Sequence, residues 1–239
     1  MDNHVNKQFD AELTQLRQRI LEMGGLVQKQ ISDAIAGFVD TDLKKLDHVV
    51  ETDAVVNNIH VEIDEECSQI ISRRQPQASD LRYVMAAAKM VTDLERIGDE
   101  AKKIALKARL VRVRQSDRQL PLPKVGLRPS AEIALGMIAL AMQAFACLDT
   151  KMVFTIARED QRVDREFRGV IRQLMTFMLE DPRNISNAME ILLIAKAIER
   201  IGDHAKNMAE YIIYIVEGRD IRHVPIIEPD DEIELDDMS

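Results

Sequence analysis

The sequence is poor in aromatic residues, glycine and proline, and these shortages narrow the range of possible folds. Aromatic residues make up 4% of the 239 residues and tryptophan is absent, whereas hydrophobic residues together make up 46%. Aliphatic side chains, alanine and methionine must therefore fill the core, as they do in helical bundles. Nine glycines and seven prolines are too few for the many tight turns of an all-β protein. We therefore expect an all-α fold.

Cysteine is scarce as well, and the charge is unevenly placed. Cys67 and Cys147 stand alone without a C-x-x-C motif, which argues against a disulfide scaffold or a zinc knuckle. The formal net charge is −9, but seven acids and no base lie in residues 228–239, and without those seven the charge would be −2. Bases cluster near residues 107–128 without aromatic stacking partners. We therefore expect no nucleic-acid partner.

A repeated pentapeptide is the strongest pattern in the sequence. The segment Glu95-Arg96-Ile97-Gly98-Asp99 returns 104 residues later as Glu199-Arg200-Ile201-Gly202-Asp203, and an apolar run at helical spacing precedes each copy. A repeat of this kind indicates a tandem duplication. Within each copy, the two carboxylates are four residues apart and therefore lie one turn from each other on one helix face.

Apolar residues at steps of three and four predict six long helices. We expect a first three-helix bundle at 1–113, a linker with three prolines at 114–129, a second bundle at 130–218 and an acidic tail at 219–239. Short connections make sequential helices antiparallel neighbours. The most apolar run, 133–148, is shorter than the ~20 residues of a membrane span and predicts a core helix. The polar start contains no secretory signal, so a cytoplasmic location is expected.

Acidic residues are predicted to lie opposite the apolar face of the third helix in each half. With Glu95 at zero, Asp99 falls near 40° on the helical wheel, whereas the apolar residues gather between about 180° and 260°. The second helix of each half carries a polar pair at the same spacing, and the two pairs face each other if the helices are neighbours. Oxygen ligands in this arrangement suit Mg²⁺, Mn²⁺, Fe or Zn²⁺. The candidate ligands are Asp53, Asn57, Glu95, Asp99, Asp160, Asp164, Glu199, Asp203 and Asn207.

Two alternatives remain open at this point. The acids can simply pair with Arg96, Arg200 and other surface bases, as charged residues on helices usually do. The chain can also be a ferritin-like di-metal enzyme, but that chemistry uses a Glu-x-x-His pair facing the bundle core, and no such spacing occurs here. His204 is accordingly expected at the surface or in a groove.

Further motifs resemble the PhoU family, which provides accessory proteins of bacterial phosphate-specific transport. Besides the duplicated pentapeptide and the acid pairs, the resemblance is carried by Arg74-Gln75-Pro76, Ser79-Asp80-Leu81-Arg82 and Arg172-Gln173-Leu174-Met175. The resemblance implies two three-helix bundles, a homodimer, and metal ions held by the acid pairs at the surface. It also implies a cytoplasmic negative regulator of the phosphate-starvation response, without catalytic residues, that contacts the transporter ATPase subunit and a sensor histidine kinase. Contact with the membrane would be peripheral only, through these partners.

Overall fold

The part of the chain that the structure describes forms six long helices in two consecutive groups of three. The structure, a computed structural model, describes residues 2–118 and 125–221, with side chains described for residues 7–114 and 125–221. The first group contains α1 (Asp2–Asp40), α2 (Leu43–Arg74) and α3 (Ala78–Arg118). The second contains α4 (Leu127–Cys147), α5 (Lys151–Glu180) and α6 (Ile185–Glu217), with a short 3-10 helix, Pro182–Asn184, before α6. The all-α prediction is confirmed.

Local sequence signals explain several helix ends. The Asp42 carboxylate accepts hydrogen bonds from the backbone N–H groups of Lys44 and Lys45 at the start of α2, which satisfies donors that a helix leaves unpaired. Helix α2 stops at Arg74, two residues before Pro76. Gly218 ends α6 with a φ of 73°, a left-handed conformation that glycine adopts without strain.

The linker between the two groups of helices is shorter than the sequence predicts. Helix α3 continues to Arg118 and α4 already begins at Leu127, so both helices extend into the expected 114–129 segment. Residues 119–124 and the acidic tail beyond Ile221 lie outside the described residues. Pro129 occupies the first turn of α4, where its missing N–H group costs no hydrogen bond.

One apolar core runs through both groups of helices. Each group packs its three helices against one another, and the groups meet where α3 packs on α6 and α1 packs on α4. Among the described residues, α4 alone is long and apolar enough to span a membrane by length and composition. Half of its apolar window is buried inside the protein, and it contacts α1, α5 and α6. This placement is that of a core helix, although its 21 residues exceed the length expected from sequence.

Candidate functional site

In the first half, the polar residues of α2 and α3 meet at a buried carboxylate. Asp53 on α2 is 2% exposed, and its Oδ2 accepts hydrogen bonds from Lys102 Nζ at 2.7 Å and from Asn57 Nδ2 at 3.3 Å. The other oxygen, Asp53 Oδ1, and Asn57 Oδ1 are buried without a hydrogen-bond partner. Buried polar atoms are normally paired. These two oxygen atoms between the helices are therefore available to accept a hydrogen bond or to coordinate a cation.

The pentapeptide acids of α3 lie beside this carboxylate. Glu95 is half-buried and Asp99 is exposed. Burial raises the pKa of Glu95, and the Asp99 carboxylate and, more weakly, Asp53 raise it further, while His60 and Arg96 act in the opposite direction. Asp53, Glu95 and Asp99 therefore lie near enough for their charges to interact, and Asn57 is hydrogen-bonded to Asp53. We call these four residues the first acidic cluster.

The second half repeats the arrangement with α5 and α6. Asp160 is 7% exposed, and Lys206 Nζ donates to its Oδ2 at 2.9 Å. Asp203 is exposed and Glu199 is half-buried. Partial burial raises the pKa of Asp203 to about 6, and the neighbouring carboxylates of Glu199, Asp160 and Asp164 also raise it. The second half therefore has four carboxylates, of which Asp160 is paired with Lys206 and Glu199 with Lys196, whereas the first half has three carboxylates and an amide.

These two clusters have the donor chemistry of a site for a hard cation. Carboxylate and amide oxygens are the ligands of Mg²⁺, Mn²⁺ and related ions, and the buried Asp53 Oδ1 has no hydrogen-bond partner. Within residues 7–114 and 125–221, however, no three His, Cys, Asp or Glu side chains converge as a ready-made metal site. The residues therefore fit a metal chemically, and the side chains must move to coordinate one.

Asn207, the last of the predicted ligands, contacts a residue of the first half. Its Nδ2 points to Asp93 Oδ1 on α3, at 3.5 Å, across the contact between the two halves. His204 is also at this contact: it is 8% exposed, and its Nδ1 lies 2.8 Å from Asp93 Oδ1. The expectation that His204 lies at the surface or in a groove is therefore wrong, because α6 buries a second face against α3 in addition to the face that packs within its own bundle.

Lys102 and Lys206 are the site residues that the sequence reasoning missed. They occupy equivalent positions, because the repeat extends beyond the pentapeptide to Ala101-Lys102 and Ala205-Lys206, 104 residues apart. Each lysine is seven residues, or about two helical turns, after the first glutamate of its copy and so lies on the same face. This longer match was the signal that could have identified them.

Comparisons with known proteins agree with this duplicated architecture. A family model described as the PhoU domain matches residues 20–108 and again residues 127–212. The chain belongs to the PhoU family. The phosphate-specific transport system accessory protein PhoU homolog of Pseudomonas aeruginosa is 42% identical over 234 residues, which are 98% of this chain and 96% of that protein.

Solved PhoU structures share the fold. The crystal structure of PhoU from Pseudomonas aeruginosa superposes with a TM-score of 0.82 at 42% identity and covers 88% of this chain and 100% of that chain. The phosphate transport system regulatory protein PhoU from Streptococcus pneumoniae gives a TM-score of 0.78 at 26% identity over 89% of this chain and 98% of that chain. PhoU proteins are accessory and regulatory proteins, so this chain is not an enzyme.

Proposed function

We propose that this protein is a regulatory adaptor of a phosphate-specific transport system. In this role it contacts the transporter ATPase subunit and a sensor histidine kinase in the cytoplasm, lowers phosphate uptake and keeps the phosphate-starvation response off when phosphate is plentiful. It reaches the membrane only through these partners and acts as a homodimer. The observation that carries the proposal is the family match in both halves, together with relatives that are named for phosphate transport.

Deletion of the gene tests the regulatory role. A reporter for a phosphate-starvation promoter is expected to stay on in the deletion strain at high phosphate, and a plasmid copy of the gene should restore repression. Uptake of radiolabelled phosphate should rise in parallel. Normal repression and normal uptake in the deletion strain would contradict the proposal.

Direct binding tests the adaptor role. The purified chain should retain the detergent-solubilised transporter ATPase and the cytoplasmic part of the sensor kinase on an affinity column, and an unrelated ATPase subunit serves as the control. Analytical ultracentrifugation of the same sample measures whether the chain is dimeric. If neither partner is retained, the regulation must operate through another route.

We further propose that the two acidic clusters bind divalent or trivalent metal ions, with Mg, Mn, Zn or Fe as the candidates. The first cluster would use Asp53, Asn57, Glu95 and Asp99, and the second would use Asp160, Asp164, Glu199 and Asp203. A bound ion supplies positive charge that offsets the repulsion among the carboxylates. The chain itself holds two of the candidate oxygens, Asp53 Oδ1 and Asn57 Oδ1, buried and unpaired between α2 and α3.

Elemental analysis tests the metal proposal. Wild-type protein purified without chelator should contain metal, and so should chelated protein that is reloaded with each ion. The double variant Asp160→Asn/Asp203→Asn should contain less metal than the wild type in both preparations. Asp33→Asn, on a surface helix position paired with Lys29, is the control. Absence of stoichiometric metal in the reloaded wild-type protein would overturn this part of the proposal.

A further inference from the structure

Each acidic cluster contains a cation that the chain itself supplies. Lys102 Nζ lies 2.7 Å from Asp53 Oδ2, and Lys206 Nζ lies 2.9 Å from Asp160 Oδ2. The acceptor carboxylates are almost fully buried, whereas the lysine side chains are 37% and 39% exposed. In both halves, therefore, a fixed anion at the bottom of the cluster is paired with an ammonium group on a side chain that reaches solvent.

The duplication makes chance pairing a poor explanation. The lysines are 104 residues apart, whereas their aspartate partners are 107 apart. The difference lies in the third helix of each half, since Lys102 is 24 residues after the start of α3 and Lys206 is 21 residues after the start of α6. The two halves nevertheless form the same contact between the second and third helices. An ordinary surface ion pair needs no buried partner and contributes at most about 1 kcal/mol. A buried carboxylate without any partner is strongly destabilising, so each buried aspartate requires a cation.

We propose that Lys102 and Lys206 are built-in cations that occupy the two acidic clusters in the metal-free protein and compete with metal ions for the buried aspartates. This inference rests on the proposed metal binding. A metal that takes Asp53 or Asp160 as a ligand displaces the lysine, whose flexible stem carries its ammonium group into solvent. The lysine thereby lowers metal affinity and keeps the metal-free protein folded.

Neighbouring lysines provide the matched comparison. Lys103 follows Lys102 directly and is also paired with a buried carboxylate, since its Nζ lies 2.8 Å from Glu100 Oε2 and the Glu100 side chain is 4% exposed. Glu100, however, lies at the contact between α3 and α6, where Arg200 Nη1 also pairs with it at 2.6 Å. Lys103→Met therefore removes a comparable ion pair without vacating an acidic cluster.

Calorimetric titration with Mn²⁺ tests the competition in the full-length protein. Lys206→Met is expected to bind Mn²⁺ at least tenfold more tightly than the wild type, while Lys206→Arg and Lys103→Met stay within about threefold of it. Without metal, Lys206→Met should melt several degrees below the wild type, and Mn²⁺ should raise its melting temperature more than that of the wild type. Lys102→Met provides the same test in the first half.

Lysine reactivity tests the displacement in the wild type, where folding of a variant is not a concern. Brief acetylation followed by mass spectrometry should modify Lys206 faster once Mn²⁺ is added, whereas the rate at Lys103 should not change. Mn²⁺ binding with unchanged Lys206 reactivity and no gain in Lys206→Met overturns the competition alone. Absence of Mn²⁺ binding in the wild type and in both lysine-to-methionine variants overturns the metal proposal and the competition together.

Discussion

Asp203 is the residue whose ionisation should most clearly report the crowding of acids in the second half. Its pKa is raised to about 6 by partial burial and by the carboxylates of Glu199, Asp160 and Asp164. A carboxyl that binds its proton more tightly in the folded state stabilises the fold when protonated, and this contribution is lost as the pH rises through the folded pKa. Asp203 should therefore cost stability at neutral pH and little near pH 4.

We predict that Asp203→Asn raises the free energy of unfolding of the metal-free protein at pH 7.5 by about 1 kcal/mol. This value is smaller than the free energy equivalent to the pKa shift, because solvent screens the charge of an exposed side chain. The gain should shrink as the pH is lowered from 7.5 to 5, as measured by urea unfolding with chelator present. Asp181→Asn is a control of opposite sign, because Arg183 holds the pKa of Asp181 below its usual range. A pH-independent gain in Asp203→Asn would contradict this account.

At the scale of single residues, sequence reasoning located the acids better than their partners. The four-residue spacing placed Glu95, Asp99, Glu199 and Asp203 outside the apolar core, and the structure leaves them exposed or half-buried. The depth of Asp53 and Asp160 was not predictable, because burial of a carboxylate depends on a cation from another helix. Spacing within one helix cannot reveal that the cation is Lys102 or Lys206.

At the scale of helices, the two pentapeptide glycines differ although their sequences match. A Cβ atom on Gly98 would lie 3.2 Å from Gln30 Oε1 on α1 and 3.3 Å from Val56 Cγ1 on α2. These contacts are tighter than normal, so α3 approaches both helices closely at this glycine. A Cβ atom on Gly202 would meet Val163 Cγ1 at 3.6 Å, which is ordinary van der Waals distance.

This difference predicts opposite outcomes for the same substitution. Alanine is favoured over glycine by about 1 kcal/mol within a helix, so Gly202→Ala should raise the free energy of unfolding by roughly 0.5–1 kcal/mol. Gly98→Ala should gain less or destabilise, because Gln30 and Val56 must shift to admit the methyl group. Urea unfolding of the two variants measures both values. Equal stabilisation would show that Gln30 on α1 and Val56 on α2 move aside without an energetic cost.

Helix number and most helix ends were predictable because they depend on local signals. The Asp42 cap, the stop before Pro76 and the Gly218 terminus are all properties of a few neighbouring residues. The sequence does not predict the extension of α3 to Arg118, since the apolar periodicity is lost after Val113. A helix can continue without an apolar face when its residues are good helix formers, as the arginines of this stretch are.

At the scale of the whole molecule, the contact between the halves contains buried charges as well as apolar residues. Asp93 on α3 is 1% exposed and lies beside His204 at 2.8 Å, while Glu100 pairs with Arg200 at 2.6 Å. A sequence that predicts two bundles gives no indication of this contact, since polar residues on α3 and α6 suggest solvent. The continuous core and these pairs indicate that both bundles unfold as one unit.

We therefore predict that Asp93→Ala destabilises both halves together. The change leaves His204 buried without its partner and should lower the free energy of unfolding by about 2–3 kcal/mol, with one transition and an unchanged denaturant slope. Hydrogen exchange should show α1–α3 and α4–α6 losing protection to the same extent. Asp47→Ala removes an exposed pair with Arg109 and should change stability by less than about 0.5 kcal/mol. Loss of protection in one half alone would show that the contact joins two independently stable bundles.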